Sequence, residues 1–77
     1  MKYVLYQEFH SQSDVTPDLR EMRSTYIQYP ECDFGFVLRS VDHPETFILE
    51  THWNAHPVEI PPHFACDKYR FWTFEAL

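Results

Sequence analysis

Two apolar runs, FGFVLRS and TFILETHW, flank the short segment VDHPE, and no other feature narrows the possible folds of this chain as much. In the first run Phe34, Phe36 and Leu38 fall on one side and Val37 on the other. In the second, Phe47, Leu49 and Trp53 alternate with Ile48, Glu50 and His52. A period of two residues is the mark of a strand half-buried on each face, and two such runs joined by a proline-containing turn predict a β-hairpin over residues 34–53. Gly35, the only glycine, lies inside the first strand, where glycine marks a bulge or a close approach of another backbone.

The rest of the chain must cover this hairpin. Residues 2–9 alternate as well: Tyr3, Leu5 and Phe9 share one face with Gln7, while Val4 and Tyr6 share the other, so a further strand is expected. Gln7 reads either as a strand-end amide reaching water or as a buried hydrogen-bonding group. After the loop SQSDVT, Thr16 and Pro17 suit a helix cap and first helical position, and Asp18 puts negative charge where the helix dipole favours it. Leu19, Met22, Tyr26 and Tyr29 then follow at spacings of three and four, one apolar stripe, until Pro30 ends the helix. Pro57, Pro61 and Pro62 forbid a continuous helix from Asn54. Beyond them, residues 63–75 fit helical spacing through Phe64, Phe71 and Phe74, or through Ala65, Tyr69, Trp72 and Ala76; their aromatic content also suits a strand, and the helix is preferred. The expected order is β-α-β-β-α, an α+β layer with an antiparallel sheet: a ferredoxin-like half-sandwich without its last strand.

Seventy-seven residues make a single domain, 1–77. A chain of this length buries only about 60% of the surface its unfolded form exposes, so one sheet face is expected to need a second subunit as cover. Seven Phe, five Tyr and two Trp either fill an aromatic core or line an interface or pocket. Twelve acidic against six basic residues, a formal charge of −6, disfavour nucleic acid and anionic membrane surfaces. The N-terminal MKYVLYQEFH alternates instead of forming a signal-peptide core, no run reaches membrane-spanning length, and Cys32 and Cys66 make no disulfide framework, so a cytoplasmic protein with free thiols is expected.

The stretch LRSVDHPETFILETHW, a later His and then PHF resemble the antibiotic biosynthesis monooxygenase family. The matching parts are Arg39-Ser40, Asp42 to Glu45, Phe47, Glu50, Trp53 and Pro62-His63-Phe64. The resemblance implies a homodimeric α+β barrel, in which two sheets pack face to face, and cofactor-independent oxidation of an aromatic or quinol-type substrate by oxygen. A related branch degrades haem with a first-strand Asn, the hairpin Trp and a helix His. Carried over residue by residue, the resemblance assigns Trp53, His63 and Gln7 as catalytic, with Phe36, Phe47, Leu49 and His56 lining the substrate pocket. Gln7 stands where the haem-degrading branch has Asn, one methylene longer. In such a site an imidazole titrating near neutrality would take the substrate proton, while an amide and an indole N–H would orient substrate or oxygen.

Taken without the resemblance, Trp53 reads as core, His63 as an exposed residue at a helix start and Gln7 as a strand-end amide. His52, His56, His63 and Cys66 are zinc-ligand types, but HxxxH followed by HxxC, interrupted by prolines, is not a zinc signature, and no metal or other cofactor is expected. A single glycine cannot build a phosphate-binding loop, and no G-x-S-x-G nucleophile motif occurs. The alternative to an oxygenase is a small acidic interaction module, an inhibitor or regulator whose aromatic residues bind a larger protein.

Overall fold

The computed structural model describes all 77 residues, Met1–Leu77. Its elements run β1 (Tyr3–His10), α1 (Thr16–Ile27), β2 (Cys32–Arg39), β3 (Thr46–Trp53) and β4 (Lys68–Glu75). The four strands form one antiparallel sheet in the order β2-β3-β1-β4. This is a small α+β fold compatible with a ferredoxin-like architecture, and its strands and single helix account for the expected hairpin, first strand and first helix. No helix is long and apolar enough to cross a membrane.

The last quarter of the chain departs from the sequence expectation. Residues 63–75 do not form a second helix; residues 54–67 cross the molecule as an irregular strap, and Lys68–Glu75 supplies the fourth strand that the sequence order lacked. The reason lies in β1. Its two faces are both partly apolar and its backbone is unpaired on the side away from β3. KYRFWTFE, rich in residues that fit a pleated surface, pairs there in unbroken register from Tyr3↔Glu75 to His10↔Lys68. A helix over the same residues would have left the central strand as an edge.

The helix also starts differently. Thr16 is its first residue and not its cap; no side chain caps at Val15, and the Asp14 carboxylate accepts the Thr16 N–H at 3.0 Å. Asp14 is accordingly held below the usual carboxylate range, chiefly by its hydrogen bonds with Thr16. Leu19, Met22 and Tyr26 of the stripe are buried on the sheet, against Leu5 and Phe9 of β1 and Phe47, Leu49 and Trp53 of β3. Tyr29 packs against this core from its rim.

Gly35 lies where α1 crosses the sheet. Its register partner is Thr51, and a Cβ added to it would meet Thr51 Cγ2 at 3.0 Å and Arg23 Cγ at 3.2 Å. The close approach is thus real, and the register irregularity of β2 falls just before it, between Cys32 and Phe34. Thr51 is fully buried and β-branched, so it has little room to retreat. Replacing Gly35 by Val is expected to lower stability by about 1–3 kcal/mol, with a smaller loss for Ala. In urea unfolding this is a lower midpoint at unchanged slope; an unchanged midpoint for Gly35→Val would mean that α1 does not press on β2 here.

Candidate functional site

The strap poses a hydrogen-bonding problem. Prolines at 57, 61 and 62 remove donors and prevent a helix, so the backbone groups between them must find partners elsewhere. Ile60 finds both on the sheet and the helix. The Tyr26 hydroxyl accepts the Ile60 N–H at 2.8 Å, and Gln7 Nε2 donates to the Ile60 carbonyl at 2.9 Å. Gln7 Nε2 also donates to the Tyr69 hydroxyl at 2.9 Å, which in turn donates to Glu59 Oε2 at 2.6 Å. A chain of polar groups therefore runs from α1 through β1 to β4 and back to the strap. Gln7 is fully buried, and its Oε1 has no partner. Burial pushes the Tyr26 phenol up to about 12 and raises Tyr69 as well, the neighbouring Glu59 carboxylate adding to the effect at both. Both hydroxyls are therefore neutral at physiological pH.

The side chains expected to form a site divide among four places. Gln7, Trp53, Phe47 and Leu49 all face the helix and are buried. The Trp53 indole lies edge-on to Tyr26 and Tyr29, each at 5.7 Å between ring centroids, and its N–H is occupied by Thr51 Oγ1 at 2.8 Å. His63 sits at the outer surface, 56% exposed and 3.9 Å from Glu21. With Glu21, Met22, Thr25 and Ile60 it lines an open cleft of about 310 Å³. His56 packs on Tyr3 at 5.6 Å. Phe36 lies on the opposite face of the sheet, near His52. No hydrogen bond links Gln7, Trp53 and His63, yet Gln7 and His63 meet the same residue, Ile60, one through its carbonyl and the other across the cleft. No three His, Cys, Asp or Glu side chains gather as a metal-ligand group.

The other face of the sheet carries no helix. Along β2 it presents Phe34, Phe36 and Leu38, at 42%, 48% and 45% exposure, and along β4 Trp72 and Phe74, at 38% and 52%. Between them, on β1 and β3, two Glu-x-His pairs occur at the i, i+2 spacing that puts both members on one face of a strand. His10 Nε2 lies 2.6 Å from Glu8 Oε2, and His52 Nε2 lies 2.8 Å from Glu50 Oε2. Arg70 of β4 adds a bond from Nη2 to Glu8 at 3.0 Å while its guanidinium lies over the Trp72 ring, 5.2 Å from the centroid. The His10 bond, followed by that from Arg70, holds the Glu8 carboxyl below its ordinary range despite some burial. His52 stacks on Phe34 at 4.4 Å, and its buried Nδ1 has no partner. The two Glu-x-His pairs were legible as a repeated spacing, EFH and ETH; the Tyr26–Gln7–Tyr69 chain was not, because its members converge only once the strap is in place.

No protein-family model, curated protein or solved structure matches this chain.

The two neutral phenols give the fold an alkaline limit. An unfolded tyrosine releases its proton near pH 10, whereas folded Tyr26 holds it to about 12. The contribution is therefore complete below pH about 10 and is lost as the pH rises from there through about 12, because the unfolded chain binds fewer protons in that window. Tyr26→Phe is expected to cost about 1–2 kcal/mol at neutral pH through the lost Ile60 bond, and to flatten this alkaline decline. Denaturant unfolding at pH 7, 10 and 11 measures both effects; equal alkaline slopes for the two proteins would show that Tyr26 is not the group responsible.

Proposed function

We propose that this chain is a small binding module that works through the helix-free face of its sheet. One observation carries this conclusion: five large apolar side chains, Phe34, Phe36, Leu38, Trp72 and Phe74, stand exposed on the two outer strands of a single face. Scattered apolar residues are normal on a protein surface, but a sheet face bordered by them on both sides is a pattern of recognition surfaces. The ionic groups between them are already paired within the chain, so covering the face leaves few charges to be neutralised by a partner. Protein recovered under native conditions should run as a stoichiometric assembly, and Phe34→Glu or Phe36→Glu should return it to the 9.4 kDa of the single chain. A 9.4 kDa species for the unaltered protein would remove the proposal.

Oxygen-dependent oxidation of a small aromatic or quinol-type molecule, as in the antibiotic biosynthesis monooxygenases, is a second reading with a different observation behind it. The cleft bounded by Met22, Ile60 and His63 lies beside the polar chain that contains Gln7, and its volume of about 310 Å³ is near the lower end for ligand pockets. There His63 would take a phenolic proton from the substrate, and movement of the strap would bring Gln7 and the Trp53 indole into reach. On this reading the purified protein consumes oxygen when given a hydroxynaphthoquinol, and His63→Ala abolishes the consumption without changing the unfolding midpoint. Equal rates for the two proteins, or no rate for either, would exclude His63 chemistry.

A further inference from the structure

We infer that a polar cleft at the turn end of the β2–β3 hairpin binds a free α-amino acid, with Arg39 taking the ligand carboxylate and Asp14 and Glu45 its ammonium group. The cleft measures about 280 Å³ and shares no lining residue with the cleft at His63. It lies on the helix side of the sheet, so the inference needs neither the open face nor His63.

The walls are held in place before a ligand arrives. One is the loop of residues 11–14 that follows β1, and the other is the hairpin end from Arg39 to Phe47. The Ser11 N–H donates to the Glu45 carbonyl at 2.9 Å and ties the two together. Within the hairpin end, the Ser40 N–H donates to the Thr46 carbonyl at 2.9 Å and the Thr46 N–H to the His43 carbonyl at 2.8 Å. Ser40 Oγ accepts the His43 N–H at 3.0 Å, and in the loop Ser11 Oγ accepts the Ser13 N–H at 3.1 Å. Walls already bonded in this way lose little freedom when a ligand binds.

The polar side chains of the cleft differ from those of the open face, where the acids are paired with His and Arg of the same chain. The Arg39 guanidinium makes no ion pair. It lies over the Phe47 ring, 5.9 Å from the centroid, a contact that orients the group and uses none of its N–H donors. The Glu45 carboxylate is likewise unpaired, and Asp14 spends only Oδ1, on the Thr16 N–H at 3.0 Å. Asp14 is held below the usual carboxylate range chiefly by its Thr16 bonds, with a smaller pull from Arg39, which acts on it without touching it. Ser11 is 5% exposed, lines the cleft and gives its hydroxyl hydrogen to no acceptor in the chain. A hydroxyl buried so far is ordinarily satisfied, and the cleft is the side from which its acceptor can come.

Opposite charges thus share one concavity without closing on each other. A plain anion would bond Arg39 but meet two carboxylates, and a plain cation would meet Arg39. A molecule with both charges a few bonds apart suits all three groups. The guanidinium takes a carboxylate through two parallel N–H···O bonds, and an ammonium group has enough hydrogens for both Asp14 and Glu45. The rest of the lining favours a short polar side chain on the ligand: Gln12, Ser11 and Ser13 offer an amide and hydroxyls, and the Phe47 ring is covered by Arg39. The volume agrees, since it falls just below the roughly 300 Å³ at which pockets for drug-sized molecules begin.

Heteronuclear NMR on isotope-labelled protein tests the site, with L-serine, L-asparagine and L-glutamine as probes and acetate and ethylamine as controls that carry one charge each. At least one of the amino acids should shift the Arg39 Nε–H and Ser13 N–H signals saturably at concentrations up to about 10 mM. Acetate and ethylamine should bind about tenfold more weakly or worse. Arg39→Lys should weaken the amino acid about tenfold, because a point charge does not replace the planar fork. Should that variant fail to fold, Glu45→Gln, which keeps the shape and removes one charge, should weaken it several-fold. Lys2→Gln, which removes a cation at the far end of β1, should bind as the unaltered protein does. The inference is overturned if none of the three amino acids gives a saturable shift, or if Arg39→Lys and Glu45→Gln both bind with unchanged affinity. Acetate binding as tightly as the amino acids would overturn it too, by showing a site for anions alone.

Discussion

A single helix of twelve residues cannot cover a four-stranded sheet, and most of what is particular to this molecule follows from that shortage. The helix lies over β2 and β3, where Leu19, Met22 and Tyr26 close the core with Leu49 and Trp53. The other half of the same face, over β1 and β4, is left to a proline-broken strap. A strap of this kind has no internal ladder, so its position depends on side chains that grip its backbone. Tyr26 and Gln7 hold the two polar groups of Ile60, and Tyr69 holds Glu59. Where the strap does not reach, the sheet stays bare: Phe71, on this same face, is 46% exposed.

The grip is made of neutral groups under partial burial. The Tyr26 phenol and the Gln7 amide bond the backbone of Ile60, the Tyr69 phenol links that amide to Glu59, and only the Glu59 end of the chain carries charge. Such a network avoids the desolvation cost that buried ions incur while still satisfying most of its members. The single unpartnered atom, Gln7 Oε1, sits at its centre. The opposite face follows another logic. Apart from Lys68, its charges are paired along strands and between neighbouring strands, and its large aromatic residues stand mostly on the outer strands. The helix-side polar groups hold the molecule together, and the open-side groups make the sheet fit to be covered.

Alternation at period two and a helical stripe are local properties, and they made β1, α1 and the β2–β3 hairpin legible from the residues alone. The facing of Leu5, Gln7, Phe9, Phe47, Leu49 and Trp53 toward one side came with them, since one register fixes every side chain on a strand. Gly35 was legible only as a bulge or a close approach; the close approach falls at Gly35 itself and the register irregularity just before it. The candidate site was legible only in part. Gln7 and Trp53 share the helix face as their positions in the strand pattern required, but Phe36 had to lie across the sheet from Phe47 and Leu49, because it belongs to the opposite phase of its own strand.

What the sequence determined by itself, then, was every element whose pattern is written within a dozen neighbouring residues, together with the lack of any helix through Pro57, Pro61 and Pro62. Tertiary structure alone decided that Lys68–Glu75 is a strand, for its aromatic residues satisfy both periods and the deciding factor is the unpaired backbone of β1, some sixty residues away. It alone decided that Tyr26 and Gln7 meet at Ile60 and that Tyr69 joins Gln7 to Glu59, because hydrogen bonds over such separations depend on where the strap comes to rest, and no local spacing encodes that position.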